Sequence, residues 1–192
     1  MKILLLGDSN TAGVYSALKG VYPPGAMAPA DWELTRDLAM GSPMEYMLTR
    51  TGDRIGAGER YDVVVLSGHI GNAIGQWTGA TWQGQPILKE NAIPMGQEIA
   101  HAWEATGAMV IITGGHGVSP LQGPDGGLFD ELQAFYLSYW QALKDTNHQP
   151  ILSYRLPRKA ELWPAAPDML HASPTGYRAM ASRLVRAIQL YF

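Results

Sequence analysis

Short apolar runs that end in glycine alternate along this chain with stretches of amphipathic spacing. Ile3–Leu6, Val63–Leu66 and Met109–Thr113 are aliphatic or β-branched almost throughout and run into glycine-rich sequence. Runs of that kind suit strands covered on both faces, so these three segments read as buried parallel strands. Weaker strands are expected at Glu33–Met40 and Pro150–Tyr154. Between them the apolar positions recur at helical spacing. Ser42-Pro43-Met44-Glu45 reads as an N-cap, a proline at the first helical position and a capping-box glutamate, with Met44, Met47 and Leu48 on one side. A second helix is expected from about Asn91 through Pro94 to Thr106, stopped by Gly107. A third carries Phe129, Leu132, Phe135, Tyr136, Tyr139, Trp140 and Leu143, an aromatic stripe most simply read as core. The last opens at Ser173-Pro174 and lines up Tyr177, Met180, Leu184, Ala187 and Tyr191. Strands alternating with helices imply one α/β domain over residues 1–192, a three-layer α/β/α sandwich with a mostly parallel five-stranded sheet.

Two stretches break this pattern. Lys19–Asp31 is rich in proline and glycine, and Ala73–Lys89 sets Trp77 and Trp82 among polar residues. Open α/β sheets bind ligands outside the carboxyl ends of their strands, and both stretches read as loops on that edge. Trp77 and Trp82, with Trp32, are expected there as flat faces for a substrate or as packing for the loops.

Composition narrows the function classes. The 192 residues suit a single domain, and 14 Lys and Arg against 17 Asp and Glu give a mildly acidic chain with scattered basic residues. A nucleic-acid surface would need a basic stripe or patch, so no nucleic-acid partner is expected. The absence of cysteine excludes disulfides, thiolate chemistry and cysteine-ligated metals. No cluster of histidines and carboxylates stands at ligand spacing, so no metal is expected. The apolar start is too short for a signal-peptide core, and no stretch reaches the roughly 20 apolar residues that span a bilayer. A soluble protein, cytoplasmic or otherwise lacking a classical export signal, is the expectation, without membrane insertion. Oligomeric state is not legible.

The candidate chemistry lies at the two ends of the chain. Ser9 follows the first strand in Gly7-Asp8-Ser9-Asn10, and Asp168-Met169-Leu170-His171 precedes the last helix. A serine hydroxyl becomes a useful nucleophile when a histidine takes its proton and a carboxylate fixes the histidine tautomer. His116 follows the Met109–Thr113 strand, where it either borders the pocket or, lacking a partner in the pattern, is a surface or structural loop residue, and His101 and His148 read as surface residues of helical or loop segments.

With Gly7-Asp8-Ser9-Asn10-Thr11-Ala12-Gly13 and Asp168-Met169-Leu170-His171-Ala172-Ser173-Pro174-Thr175-Gly176-Tyr177 together, the chain resembles the SGNH, or GDSL, hydrolase superfamily over nearly its whole length. The resemblance implies a flavodoxin-like sheet and a serine-dependent carboxylic ester hydrolase acting through an acyl-enzyme, without a cofactor. It implies Ser9 as nucleophile, His171 as general base and then acid, and Asp168 orienting His171; Asp8 is structural. It also implies an oxyanion hole made of the Ser9 and Gly41 backbone N–H groups and an asparagine side chain. There the sequence departs from the family pattern, Gly-x-Asn-Asp. It reads Ser67-Gly68-His69-Ile70-Gly71-Asn72-Ala73, so Asn72 is the candidate, reached through two extra residues, with His69 as a substitute donor. A small-molecule or carbohydrate ester is the expected substrate, with short acyl groups such as O-acetyl preferred, because nothing reads as a long apolar channel or lid. A non-catalytic binding module on the same fold and an acyltransferase passing the acyl group to an alcohol are the alternatives.

Overall fold

Alternation along the first strand sets up the two cores. A computed structural model describes residues 1–39, 41–67, 70–114, 138, 141–142, 151–153, 161 and 171–192. Strand β1, Lys2–Gly7, is buried from Ile3 onward. Ile3 and Leu5 join one hydrophobic cluster, and Leu4 and Leu6 join the other. The β3 strand, Val63–Leu66, repeats the division, with Val63 and Val65 on the first side and Val64 and Leu66 on the second. A strand buried on both faces cannot alternate apolar with polar residues, which is why these runs are aliphatic throughout.

Among the described residues, five parallel strands form the sheet in the order β2-β1-β3-β6-β7, where β2 is Glu33–Leu38, β6 is Met109–Gly114 and β7 is Ile151–Ser153. This flavodoxin-like order reverses direction at β1 and β3, where open sheets form their ligand crevices. Helix α1, Ser9–Leu18, and the last helix, α5, Pro174–Tyr191, cover one face through Val14, Leu18, Tyr177, Met180, Leu184 and Ile188. Helix α2, Met44–Gly56, and helix α4, Ala92–Glu104, cover the other through Met44, Met47, Ile99 and Trp103. Buried Trp103 donates its Nε1–H to Thr51 at 3.1 Å, which satisfies the one polar atom of a large core side chain. Among the described residues, no helix is long and apolar enough to cross a membrane.

Several elements differ from the sequence expectation. Residues 73–89 are not a loop. Helix α3 spans Ile70–Thr78 and so includes Trp77; a two-stranded hairpin follows, β4 at Thr81–Trp82 and β5 at Gln85–Pro86, and then a 3-10 turn at Lys89–Asn91. Ser42 does not cap α2. Its hydroxyl donates to the Gly7 carbonyl at 3.1 Å, Pro43 occupies the cap position, and the helix begins at Met44. In α5 the buried line passes through Ile188, while Tyr191 is 56% exposed, because a 3.6-residue period drifts off the spacing that Ala187 and Tyr191 would need. The aromatic helix expected over 129–143 lies outside the described residues except at 138, 141 and 142, all helical.

The Lys19–Asp31 segment and Trp32 lie at the other end of the sheet from Ser9. They lead into β2, whose first residue pairs with Lys2 at the start of β1. Trp32 packs against the α1–α5 core, so it is a core-edge ring and not a wall of the site.

Candidate active site

The end of β1 turns sharply into α1, and one carboxylate fixes the turn. Asp8 is 1% exposed and caps the helix; its Oδ1 accepts the Asn10 N–H at 2.9 Å and the Thr11 N–H at 3.3 Å. The Asp8 carbonyl accepts from the Ala12 N–H at 3.0 Å. Those bonds satisfy the early donors of the first turn, which a helix cannot satisfy itself. Ser9 is the first residue of α1, half-buried, and its own N–H has no partner among the described residues.

His171 arrives from the far end of the chain. Its Nε2 lies 2.7 Å from Ser9 Oγ, although the two residues are 162 positions apart. Two local structures hold the histidine side. Ser173 caps α5, its hydroxyl oxygen accepting the Gly176 N–H at 3.1 Å, with Pro174 in the first turn. Tyr177 then reaches back to α1 and donates its hydroxyl to Asn10 Oδ1 at 3.1 Å. Gly13 makes this docking possible, since a Cβ there would fall 2.3 Å from the Tyr177 ring. A glycine on α1 and a tyrosine on α5 thus set the spacing that brings Ser9 to His171. Asp168 and His116 lie outside the described residues, as do Gly68 and His69.

A cleft of about 360 Å³ opens beside Ser9. Asp8, Ser9 and Ala12 line one side, and the carboxyl end of β2, Arg36 to Ala39, lines the other. Asp37 is engaged on the α2 side of this wall. Its Oδ1 accepts from the Tyr46 hydroxyl at 2.7 Å, and its Oδ2 accepts from Arg50 Nε at 2.9 Å and Arg54 Nε at 2.7 Å. Burial pushes the Asp37 carboxyl up, but the bonds from Tyr46, Arg54 and Arg50 outweigh it and hold the group below its ordinary value. Sequence patterns do not single out Arg36 or Asp37, because adjacent opposite charges on a weak strand read as an ordinary sheet edge.

Gly41 follows β2 at the same edge, exposed, with φ +62°, a left-handed conformation that glycine adopts without penalty. Asn72 departs from the expected oxyanion role. It is fully buried, and its Oδ1 accepts the Met44 N–H at 2.7 Å, capping α2 from 28 residues away. Its two amide hydrogens go to Glu45 Oε2 at 2.9 Å and to the Leu88 carbonyl at 3.1 Å. A carboxamide has two N–H donors, so none remains for a substrate. Trp82 sits half-buried with its ring edge-on to Tyr46, centroids 5.6 Å apart, which pins the hairpin to α2. Trp77 belongs to α3. Among the described residues, no group of three or more histidines and carboxylates could hold a metal ion.

No protein-family model matches the sequence, and no curated protein does. Solved structures do match over the whole length. A GDSL-like lipase from Bacteroides thetaiotaomicron superposes with a TM-score of 0.70 at 14% identity, covering 100% of this chain and 89% of that one. A member of the lipolytic protein G-D-S-L family from Veillonella parvula gives 0.67 at 13% identity, covering 98% of each chain. The acetylxylan esterase Axe2 from Geobacillus stearothermophilus gives 0.68 at 15% identity, covering 97% of this chain and 93% of its own. At such identities the likeness is one of fold. The chain folds as the SGNH, or GDSL, hydrolases do, with Ser9 and His171 in contact at the carboxyl edge of its own sheet.

Proposed function

We propose that this protein is a serine-dependent carboxylic ester hydrolase of the SGNH type. The observation that carries the reading is the 2.7 Å contact between Ser9 Oγ and His171 Nε2 beside an open cleft. In the proposed reaction His171 Nε2 takes the Ser9 hydroxyl proton as Oγ attacks the ester carbonyl. The tetrahedral intermediate collapses, the alcohol leaves with the proton from His171, and an acyl-Ser9 ester remains. Water, deprotonated by His171, then releases the acid and restores Ser9. Asp168 is the proposed partner of the histidine Nδ1–H and fixes its tautomer. The developing oxyanion is assigned to the N–H groups of Ser9 and Gly41. The engaged first turn of α1 supports the former, since Asp8 accepts its neighbours' donors and leaves that of Ser9.

Short acyl groups are the proposed preference, and carbohydrate O-acetyl esters are among the proposed substrates. Among the described residues, Ala12, Leu38, Ala39 and the charged Asp8, Arg36 and Asp37 line the cleft with Ser9, a short and mixed lining that supports a small acyl group. A non-catalytic binding module remains the second reading, favoured by the engagement of Asn72, which removes the third oxyanion donor. One experiment separates the two. Purified protein is assayed on acetyl, butyryl and octanoyl p-nitrophenyl esters and treated with a serine-directed phosphonate. The hydrolase reading expects fastest turnover of acetyl or butyryl ester, labelling at Ser9, and loss of at least about 10³-fold in kcat for Ser9→Ala. Full activity in Ser9→Ala overturns the mechanism, and a rate peak at octanoyl overturns the acyl preference.

A further inference from the structure

The cleft beside Ser9 contains a cation for which the ester chemistry has no use. Arg36 is exposed near the carboxyl end of edge strand β2 and lines the cleft. Strand alternation puts it on the face of Leu34, which packs with the α1–α5 core, while Asp37 turns toward α2. Its guanidinium carbon stands 5.1 Å from the centroid of the Tyr15 ring on α1. Stacking on an aromatic face orients the planar guanidinium and leaves its N–H donors available.

Arg36 has no acidic partner among the described residues. Of the two acids that line the cleft with it, Asp37 is paired with Arg50 and Arg54, and Asp8 caps α1 through Oδ1 while its Oδ2 is buried and makes no ion pair with Arg36. Ser9, Ala12 and Tyr15 follow at three-residue spacing along one side of α1, so Ser9 and Tyr15 are about 9 Å apart along the axis. An arginine stacked over Tyr15 lies within reach of the far end of a small molecule whose ester is at Ser9.

We propose that Arg36 is a specificity-determining residue that binds a carboxylate or phosphate borne by the substrate, through two parallel hydrogen bonds from its guanidinium fork. The substrate is then a small anionic ester, its charge about one to two helical turns from the scissile carbonyl, on the order of 5–9 Å. This inference rests on the assignment of Ser9 as the esterase nucleophile.

The test compares kcat/KM for two matched pairs. Mono-p-nitrophenyl glutarate against p-nitrophenyl pentanoate puts a carboxylate on the acyl side, and 1-acetylglycerol 3-phosphate against monoacetylglycerol puts a phosphate on the alcohol side. The anionic member of at least one pair is expected to be preferred, and Arg36→Gln to lower that preference at least about tenfold, mainly through KM. Arg36→Lys, which keeps the charge and loses the fork, is expected to recover part of it. An unchanged ratio in Arg36→Gln overturns the inference, as does an equal fall for both members of a pair, which marks a structural role. Calorimetric binding of the same anionic esters to Ser9→Ala, and to Ser9→Ala with Arg36→Gln, separates the two readings. Arg36-dependent binding without turnover by the wild type sinks the hydrolase reading and keeps the anion site. Turnover that ignores Arg36 does the reverse.

Discussion

Asn72 shows how a residue that sequence places at a reaction centre can belong to the frame around it. Pro43 has no side-chain acceptor and Ser42 is drawn to the Gly7 carbonyl, so the Met44 N–H of α2 needs an outside acceptor, and Asn72 Oδ1 is that acceptor. Its amide hydrogens bind Glu45 and the Leu88 carbonyl, tying α2, α3 and the segment before α4 together. Removing a buried cap and stranding its partners costs about 2 kcal/mol. Asn72→Ala is therefore expected to lower the unfolding free energy by that amount, read from a urea titration as an earlier midpoint. Below its unfolding range the variant is expected to lose less than about tenfold in kcat on a short ester, against the 10²–10³-fold typical of a missing oxyanion donor. A hundredfold loss at unchanged stability would return Asn72 to the oxyanion hole. Ser9 and His171 were legible as a pair because Gly7-Asp8-Ser9-Asn10 follows the first strand and Asp168-Met169-Leu170-His171 precedes the last helix, two blocks that together carry the resemblance. The engagement of Asn72 was not, since its partners are 16 to 28 positions away and only folding brings them near.

At the scale of elements, legibility followed how much each segment owes to its own sequence. Ile3–Leu6 and Val63–Leu66 are apolar on both faces and could only be interior strands. Helix α3 carries glycines at 71 and 75, poor helix formers, so its sequence reads as a loop. A Cβ at Gly71 would fall 2.2 Å from the Ser42 carbonyl oxygen, so close packing on the β2–α2 turn, and not propensity, selects the helix there. Strand β2, expected over Glu33–Met40 and found over Glu33–Leu38, was legible in place but not in what anchors it. It is an edge strand anchored to α2 through Asp37, whose carboxyl is held below its ordinary value despite burial. A group with a lowered folded value contributes stability that is fully present above the unfolded carboxylate value of about 3.9 and is lost as pH falls through the folded value. Stability is thus expected to decline below about pH 4, and Asp37→Asn to flatten part of that decline. At neutral pH the same variant is expected to cost about 2 kcal/mol, less than a fully buried pair would, because the Arg50 side chain is 37% exposed and also reaches Asp53. Urea titrations of both proteins from pH 7 to 3 check this; parallel curves would remove Asp37 from the acid transition.

For the whole molecule, the parallel sheet is what makes a site out of the two ends of the chain. Among the described residues the strands of the main sheet all point the same way, so the turn after β1 opens on the edge where His171 meets Ser9, and α1 and α5 share one layer over it. Neither end can form the site alone. In the proposed mechanism Ser9 is activated by His171 only while α1 and α5 remain docked through Gly13, Tyr177 and Asn10. Exposed serine hydroxyls react poorly with phosphonates because no base takes their proton. Phosphonate labelling of Ser9 therefore reports the docking of the two ends. In a denaturant series, labelling is expected to vanish at or below the midpoint seen by tryptophan fluorescence. Loss well below that midpoint would mean that α5 undocks before the sheet unfolds, a sub-global opening of one layer. Labelling that continues into the unfolded baseline would mean that Ser9 is reactive without His171, and the pairing of the two ends would not be the source of its nucleophilicity.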